Sequence, residues 1–493
     1  METTGFTQKT ISGIFSQTTV TVLVGIVEVL SFSIMSRLLT QEDFGYYAAI
    51  TAITTVFASF SETGIGSAII QRKEIDSKFI NNSFTLSFLF GTFITLLLLI
   101  SSKPLSSLIA DESMTIPLMI MSVTLLSNCL SSVNTSIMIR RLEFFQVGMI
   151  TLVSLLITTV ISVVFALKGF GYYAIISKAV LSSVLTMIIS WVMSRARYRF
   201  ELDKQTIRSI LGFSGWLMAS VFFRNMAQQL DKLLMGKLLS IKSLGDYNRP
   251  KEFINMASSK IGGIFDTALF PILSQVQDDM ETLQRAYKRS MYYLNIVSIV
   301  LSVGFVFLGE LIIRIFFGIE WFNVLPVFQI LSICIIFNFS GRLADCFLRG
   351  VGLTKQQFVF RIYEVILKLL GLFFSYRYGL IGIALSVLVT DILAVTTKHI
   401  YISNKIGVSF LESVVLLLKS SKICIVILPI MISAMLFLPH TMFGNMISLI
   451  LFFFSLVFCF LICPSLVGEE YKNGIYLTIK NKVLFKILKS KYD

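Results

Sequence analysis

Apolar runs of about twenty residues recur from one end of the chain to the other, and nothing else in the sequence constrains its fold as strongly. A run of that length is what an α-helix needs to cross the hydrocarbon core of a bilayer. A helix also satisfies its backbone polar groups within its own segment, as lipid demands. Scanned with a window of about 19 residues, the runs fall at 11–38, 46–70, 79–100, 114–139, 147–167, 171–193, 210–238, 247–273, 290–307, 324–348, 358–374, 380–402, 414–438 and 446–466. The expected fold is all-α and integral to a membrane, with about fourteen transmembrane helices. The run 247–273 is the weakest, because it carries Lys251, Glu252, Asn255, Lys260 and Asp266. The run 11–38 is too long for a signal-peptide core, holds Glu28 in its middle and lacks a small-x-small cleavage site, so it is expected to stay as the first span.

Fourteen crossings within 493 residues leave little chain for a domain outside the membrane. The formal charge of +14 does not point to nucleic acid, because the positive residues sit in short segments between apolar runs. Counted from a cytoplasmic N-terminus, one side collects Lys9, then Arg72, Lys73 and Lys78, then Arg140 and Arg141, then Arg195, Arg197, Arg199, Lys204 and Arg208. It goes on to collect Arg285, Lys288, Arg289, Arg349, Lys355, Lys398, Lys405 and a lysine-rich tail, while the other side holds scattered singles such as Lys103, Lys168, Lys242 and Arg377. Both termini are therefore expected in the cytoplasm. Dropping the run 247–273 would spoil this bias, which argues for keeping it.

The chain also repeats itself. Residues 38–47, LLTQEDFGYY, line up with residues 238–247, LLSIKSLGDY, 200 positions later, with Arg37 over Lys237. Each segment joins the first two spans of a six-span half, and residues 169–174 (GFGYYA) and 379–384 (GLIGIA) open the sixth span of each. A unit of six spans returns the chain to the side it began on, so the halves run in the same orientation about an axis along the membrane normal. The expected organisation is an N-terminal six-helix lobe (1–193), a basic cytoplasmic linker (194–209), a C-terminal six-helix lobe (210–405), two additional helices (406–466) and a basic cytoplasmic tail (467–493). The linker suits an interfacial helix against anionic lipid. The tail, with Ile479, Val483 and Ile487 at helical spacing, suits either a surface helix or a frayed soluble end.

Charges placed at membrane depth are the candidate functional residues, since an ionisable group there turns into protein or a water-filled cavity. On the seventh span Arg224, Gln228 and Asp231 share one face with Lys232 at its edge, reading either as cavity lining or as an ion-pair cluster that holds helices together. On the eighth, Asn255, Ser259, Gly262 and Asp266 share a face and Lys260 adds a cation, which suits a polar cavity wall or a close small-residue helix contact. The tenth span carries Arg342, Asp345 and Arg349, and the eleventh carries Arg361, Glu364 and Lys368 at the same kind of spacing. Arg349 and Arg361 lie near cytoplasmic ends, where a long side chain also snorkels. Glu28, Asp231, Asp266 and Asp391 are candidates for a proton or sodium site, and nothing in the pattern chooses the ion. All six cysteines fall in apolar runs without a CxxC spacing, and His399 and His440 fall at run ends without partners, so neither a metal centre nor His-dependent catalysis is expected.

The first span ending Arg37-Leu-Leu-Thr-Gln-Glu-Asp-Phe-Gly45-Tyr-Tyr, the second ending Glu62-Thr-Gly64-Ile-Gly66-Ser-Ala, and the seventh carrying Asp231-Lys-Leu-Leu-Met-Gly236 before Leu244-Gly245-Asp-Tyr247 resemble the polysaccharide transporter family. These are Wzx-type O-antigen and exopolysaccharide flippases of the MOP superfamily, and the resemblance covers essentially the whole chain. It implies two six-helix lobes around a central cavity and transport of an undecaprenyl-pyrophosphate-linked oligosaccharide from the cytoplasmic to the periplasmic leaflet of a bacterial inner membrane. Its implied partners are the lipid-linked oligosaccharide, membrane lipids, a polysaccharide polymerase and a chain-length regulator, with no cofactor beyond coupling to a proton or sodium gradient. The chemistry agrees: a pyrophosphate and a glycan cannot cross hydrocarbon unaided, and arginine offers a planar fork to phosphate oxygens. Three other readings stay open. They are a lipid II flippase, a multidrug or metabolite exporter of the same superfamily, whose cavity would favour acidic and aromatic residues, and a membrane glycan polymerase or acyltransferase, which would need a larger outward loop or a His/Asp centre.

Overall fold

The computed structural model describes residues 2–61, 65–72, 75–109, 112–276, 279–439 and 441–467, and every regular element among them is helical. The first half runs α1 Glu2–Leu38, α2 Gln41–Ser61, α3 Ile65–Gln71, α4 Ser77–Ile109, α5 Thr115–Arg140, α6 Phe144–Leu167 and α7 Tyr173–Ser194. Then come α8 Lys204–Leu238, α9 Ile241–Gln275, α10 Met280–Phe307, α11 Gly309–Ile312, α12 Leu325–Gly350, α13 Thr354–Ser375 and α14 Gly379–Ile406. The last elements are α15 Phe410–Ser420, α16 Cys424–Phe437, α17 Met442–Val457 and α18 Pro464–Val467. Among the described residues the apolar runs fall largely on helix, the run 46–70 being shared between α2 and α3. Among the described residues ten stretches are long and apolar enough to cross a membrane, one of them holding both α13 and α14, while α2, α8 and α9 fall outside the ten. Phenylalanines such as Phe373 and Phe437, 66% and 84% exposed, are stable on such helices only when hydrocarbon covers them. The basic tail beyond residue 467, His440, and Glu62 to Gly64 of the second-span motif lie outside the described residues.

Contacts divide the chain into two compact units, Met1–Arg249 with Phe316–Gly318 and Lys368–Leu380, and Pro250–Ile315 with Ile319–Leu367 and Ile381–Asp493. In the first, α5 packs against α4, α7, α3 and α2, α6 joins α1 to α7, and α8 lies against α2 and α4. Its buried cluster is Ile65, Ile69, Phe79, Phe84, Leu130, Val133 and Ile137. Gly66 of the second-span motif is needed there, because a Cβ on it would stand 2.5 Å from the Ser136 hydroxyl of α5. In the second unit α10 packs on α12 and α15, and Ile296, Ile299, Ile427, Met431 and Cys459 tie α10 to α16 and the end of the following helix.

The repeated segments build the same local structure twice. Thr40 begins α2 with a capping box: its amide and hydroxyl donate to Asp43 Oδ2 at 2.9 and 2.8 Å, and the Asp43 amide donates to the Thr40 hydroxyl at 3.2 Å. Ser240 begins α9 likewise, its hydroxyl 2.8 Å from that of Ser243 and accepting from the Ser243 amide at 3.1 Å. One turn on stand Gly45 and Gly245. A Cβ on Gly45 would lie 1.9 Å from the Ile241 carbonyl oxygen, and one on Gly245 1.8 Å from that of Gln41. Gln41 and Ile241, like Gly45 and Gly245, are 200 positions apart, so the first unit contains a two-fold crossing of the two hairpins, backbone on backbone.

The basic linker is not an interfacial helix. Residues 195–203 form no helix: Arg195 turns the chain away from α7 in a left-handed conformation, and along 199–203 side chains of α4 take the place of a neighbouring strand. The amides of Arg199, Glu201 and Asp203 donate to Asn81 Oδ1, the Thr85 hydroxyl and Asn82 Oδ1 at 3.1, 3.0 and 2.6 Å. The period of two in the donors is that of an extended chain, and it meets acceptors on one helix face. Tyr198 stacks on Phe84 with centroids 4.1 Å apart and its hydroxyl donates to Asn134, while burial pushes its phenol up to about 12. Asp203 then caps α8 and pairs with Lys78 at 3.1 Å. The hydroxyl and amide of Thr206, then Lys78, hold its carboxyl down to about 2.

Candidate functional site

Sequence spacing placed Arg224, Gln228, Asp231 and Lys232 together, and the fold separates them by environment. Asp231 is 2% exposed and accepts a hydrogen bond from the Tyr247 hydroxyl at 2.9 Å, so it bridges α8 to α9 one turn beyond the glycine crossing. Arg224 is half-buried and its Nε donates to Asn225 at 3.5 Å; Asn225, buried, reaches across to the Ser59 hydroxyl of α2 at 3.0 Å. Lys232 is half-buried, and Gln228 is exposed. On α9, Asn255, Ser259 and Lys260 are all exposed at the middle of the helix. Gly262, one turn on, receives the Arg342 side chain of α12, whose Nε would stand 3.0 Å from a Cβ there. The expected small-residue face of α9 is thus a seat for an arginine. The side chain of Asp266 lies outside the described residues. Glu28 and Asp391 are half-buried on α1 and α14.

Asp345 has different company. It meets Arg361 of α13 and lies 3.1 Å from the ammonium of Lys398 on α14, while Glu364 sits 2.7 Å from Arg361 and 2.5 Å from Lys398. The four side chains are 12, 15, 13 and 2% exposed, two anions and two cations closed into a ring across three helices. Burial of any one alone would cost several kcal/mol in lost hydration, and the ring offsets that cost by mutual pairing. Beside it His399, 3% exposed, shares hydrogen bonds with the hydroxyls of Tyr287 and, at 2.7 Å, Ser340.

Two expectations are corrected here. Lys398 is a buried structural cation rather than a loop charge on the cytoplasmic side, and His399 has two partners. Both follow from α14 continuing to Ile406, a turn past the end of its apolar run, so that they stay inside the bundle. A usable signal was present: Asp345 and Glu364 stand at similar depth on helices joined by the short turn 351–353 and need cations to balance them. Among the described residues no group of three or more His, Cys, Asp or Glu is placed to hold a metal ion.

The helical layout defines a class, that of polytopic α-helical membrane proteins. The chain is similar in fold to the lipid II flippase MurJ in an inward closed conformation, with a TM-score of 0.71 at 16% identity, covering 92% of this chain and 99% of that one. The family model described as polysaccharide biosynthesis protein matches residues 34–326, more than half of the chain, and the chain belongs to that family. It is 23% identical over 324 residues to the succinoglycan biosynthesis transport protein ExoT of Rhizobium meliloti (strain 1021), a match that covers 65% of each chain and so falls just short of two thirds of that relative. It is 22% identical over 408 residues to the lipopolysaccharide biosynthesis protein WzxC of Escherichia coli (strain K12), covering 82% of this chain and 83% of that protein.

Proposed function

We propose that this protein is a flippase that moves an undecaprenyl-pyrophosphate-linked oligosaccharide across a bacterial inner membrane by alternating access, supplying surface polysaccharide synthesis. The observation that carries the reading is the set of exposed polar side chains midway along two long helices, Gln228 on α8 and Asn255, Ser259 and Lys260 on α9, which lie at membrane depth if both helices cross. Hydrocarbon does not tolerate such groups, so they face water or a polar cargo. Lys260 and the half-buried Arg224, Lys232 and Arg342 supply cations suited to a pyrophosphate, with arginine presenting a fork and lysine a point charge. The names of ExoT and WzxC, transport and lipopolysaccharide synthesis, favour a glycan as the cargo. We assign Asp345 to the buried ring rather than to the cargo, since its charge is already met. Carriage leaves every covalent bond intact, so the protein acts as a carrier and not as an enzyme. Glu28, Asp231, Asp266 and Asp391 stay as the carboxylates from which a proton- or sodium-driven step would be built. Downstream, a polymerase and a chain-length regulator would receive the cargo.

The test is direct. A deletion strain should lose surface polysaccharide and accumulate lipid-linked oligosaccharide in the inner leaflet. Purified protein in liposomes should then expose a labelled lipid-linked oligosaccharide to a glycosidase outside. Accumulation of lipid II in the strain, or making or breaking of a glycosidic bond by the purified protein, would overturn the proposal.

A further inference from the structure

The crossing of the repeated hairpins carries a second inference. Around it the first unit is closely packed. Ala48, Ala49 and Ala52 of α2 and Leu244 and Tyr247 of α9 have no exposed surface, and Phe44 has almost none. Small residues at such a crossing let two helix backbones touch, replacing interlocked side chains with Cα–H and carbonyl contacts. A joint of that kind seals without entanglement.

Past the crossing the two-fold likeness breaks. One turn after Gly45 stands Ala49; one turn after Gly245 stands Arg249, 4% exposed. Its guanidinium lies 3.4 Å from the ring centre of Phe32 on α1 and 4.0 Å from that of Phe44 on α2. Nε and Nη2 donate to the Ser36 hydroxyl at 3.0 and 2.9 Å, and Nη2 donates to the Phe32 carbonyl at 2.8 Å. A charge from the second repeat is thus housed in a slot built by the first. Cation–π contact and charge-assisted hydrogen bonds hold it there, and parting the hairpins must return it to water.

We propose that Gly45, Gly245 and Arg249 form the outer gate of the transport cycle, the glycines as the seal and Arg249 as the latch that sets how long it stays shut. They are positioning residues, acting on access and not on the cargo. The inference rests on the flippase reading and on cytoplasmic termini, which put the turns after α1 and α8 on the outer side. With the gate shut, cargo enters from the cytoplasm; releasing the latch moves the population toward the outward-open state.

The experiment reads gate position and transport separately. A reporter cysteine at Ala49, in a chain whose six native cysteines are replaced by alanine, is treated in intact cells with a membrane-impermeant maleimide. The gate predicts slow labelling in the parent and at least tenfold faster labelling when Gly245→Ala or Arg249→Ala is added, with membrane abundance unchanged and glycan export reduced. Equal labelling rates in all three would overturn the proposal. Because a variant can fail to fold, a second arm leaves the crossing intact: Gln41→Cys with Ile241→Cys, joined by a short cleavable bis-thiol reagent. Export should stop on cross-linking and return on reduction, and export that persists through the cross-link would overturn the gate. Labelling does not depend on what is carried. Faster labelling without a glycan phenotype would therefore leave the gate standing and remove the polysaccharide reading instead.

Discussion

Lys398 shows how the membrane changes the value of a single charge. At 2% exposure it is held by Asp345 and Glu364, and removing it leaves the buried ring with one net negative charge. Lys398→Met should therefore destabilise the protein by about 3–5 kcal/mol, the usual cost of orphaning one member of a buried ion pair. Adding Glu364→Gln to it leaves the neutral Asp345–Arg361 pair and should restore most of that loss. Thermal melting of the two variants in detergent checks both expectations, and equal melting of single and double variants would show that the ring does not act as a unit. Residue-level facts of this kind were partly legible in the sequence. The i, i+3 and i, i+4 spacings put Asp345 with Arg349 and Arg361 with Glu364, but spacing along one helix cannot show which face of α13 meets which face of α12. Lys398 and His399, at the end of an apolar run, had the signature of a cytoplasmic boundary. Only the packing of α14 distinguishes that from burial.

Among the elements, the strap of residues 195–203 departs furthest from expectation. A run of arginines after a span suggests a surface helix, yet alternation decides otherwise: after the left-handed turn at Arg195, Arg197 and Arg199 stand two apart and exposed, as outward residues of an extended chain do. The acceptors that fix it, Asn81, Asn82 and Thr85, are scattered polar residues at the start of an apolar helix and have no pattern of their own. Asn82 is fully buried and accepts the Asp203 amide at 2.6 Å. Asn82→Ala should free the end of the strap and raise tryptic cleavage at Arg195 to Arg199 in inside-out vesicles about tenfold, the effect of losing roughly 1.4 kcal/mol of local stability. The strap should also loosen in acid. Asp203 has an ordinary carboxylate value near 3.8 and a folded value of about 2, so its contribution is complete above pH 4 and is lost as pH falls through about 2. Hydrogen exchange at the Arg199, Glu201 and Asp203 amides should therefore speed up, relative to its intrinsic rate, between pH 4 and pH 2. Exchange that stays slow throughout would place the strap's stability elsewhere. The hairpins, by contrast, were readable at once, because a capping Thr or Ser and a glycine one turn later are local signals that recur 200 positions apart.

For the whole molecule, the expected orientation depends on the loops, and the structure changes the tally on which it rests. Lys398 leaves the count, since a buried and paired cation exerts no pull on topology. The strap arginines stay in it: between α7 and α8 they put three positive residues in five, and a short basic connection close to span ends is where the positive-inside effect is strongest. Lys204, Lys405, Lys103 and Lys168 are all exposed, and the expected topology puts the first two inside and the last two outside. In intact cells, cysteines placed at Lys103 and Lys168 should react with an impermeant thiol reagent. Those at Lys204 and Lys405 should react only after the membrane is opened. Lys204 and Lys405 are separated by the whole second repeat, so agreement between them also tests against a topology in which only one of α8 and α9 crosses. If either helix lay on the surface instead, Lys204 and Lys405 would fall on opposite sides. Because the glycine crossing holds the turns after α1 and α8 together, such a split would place α9, not α8, on the surface.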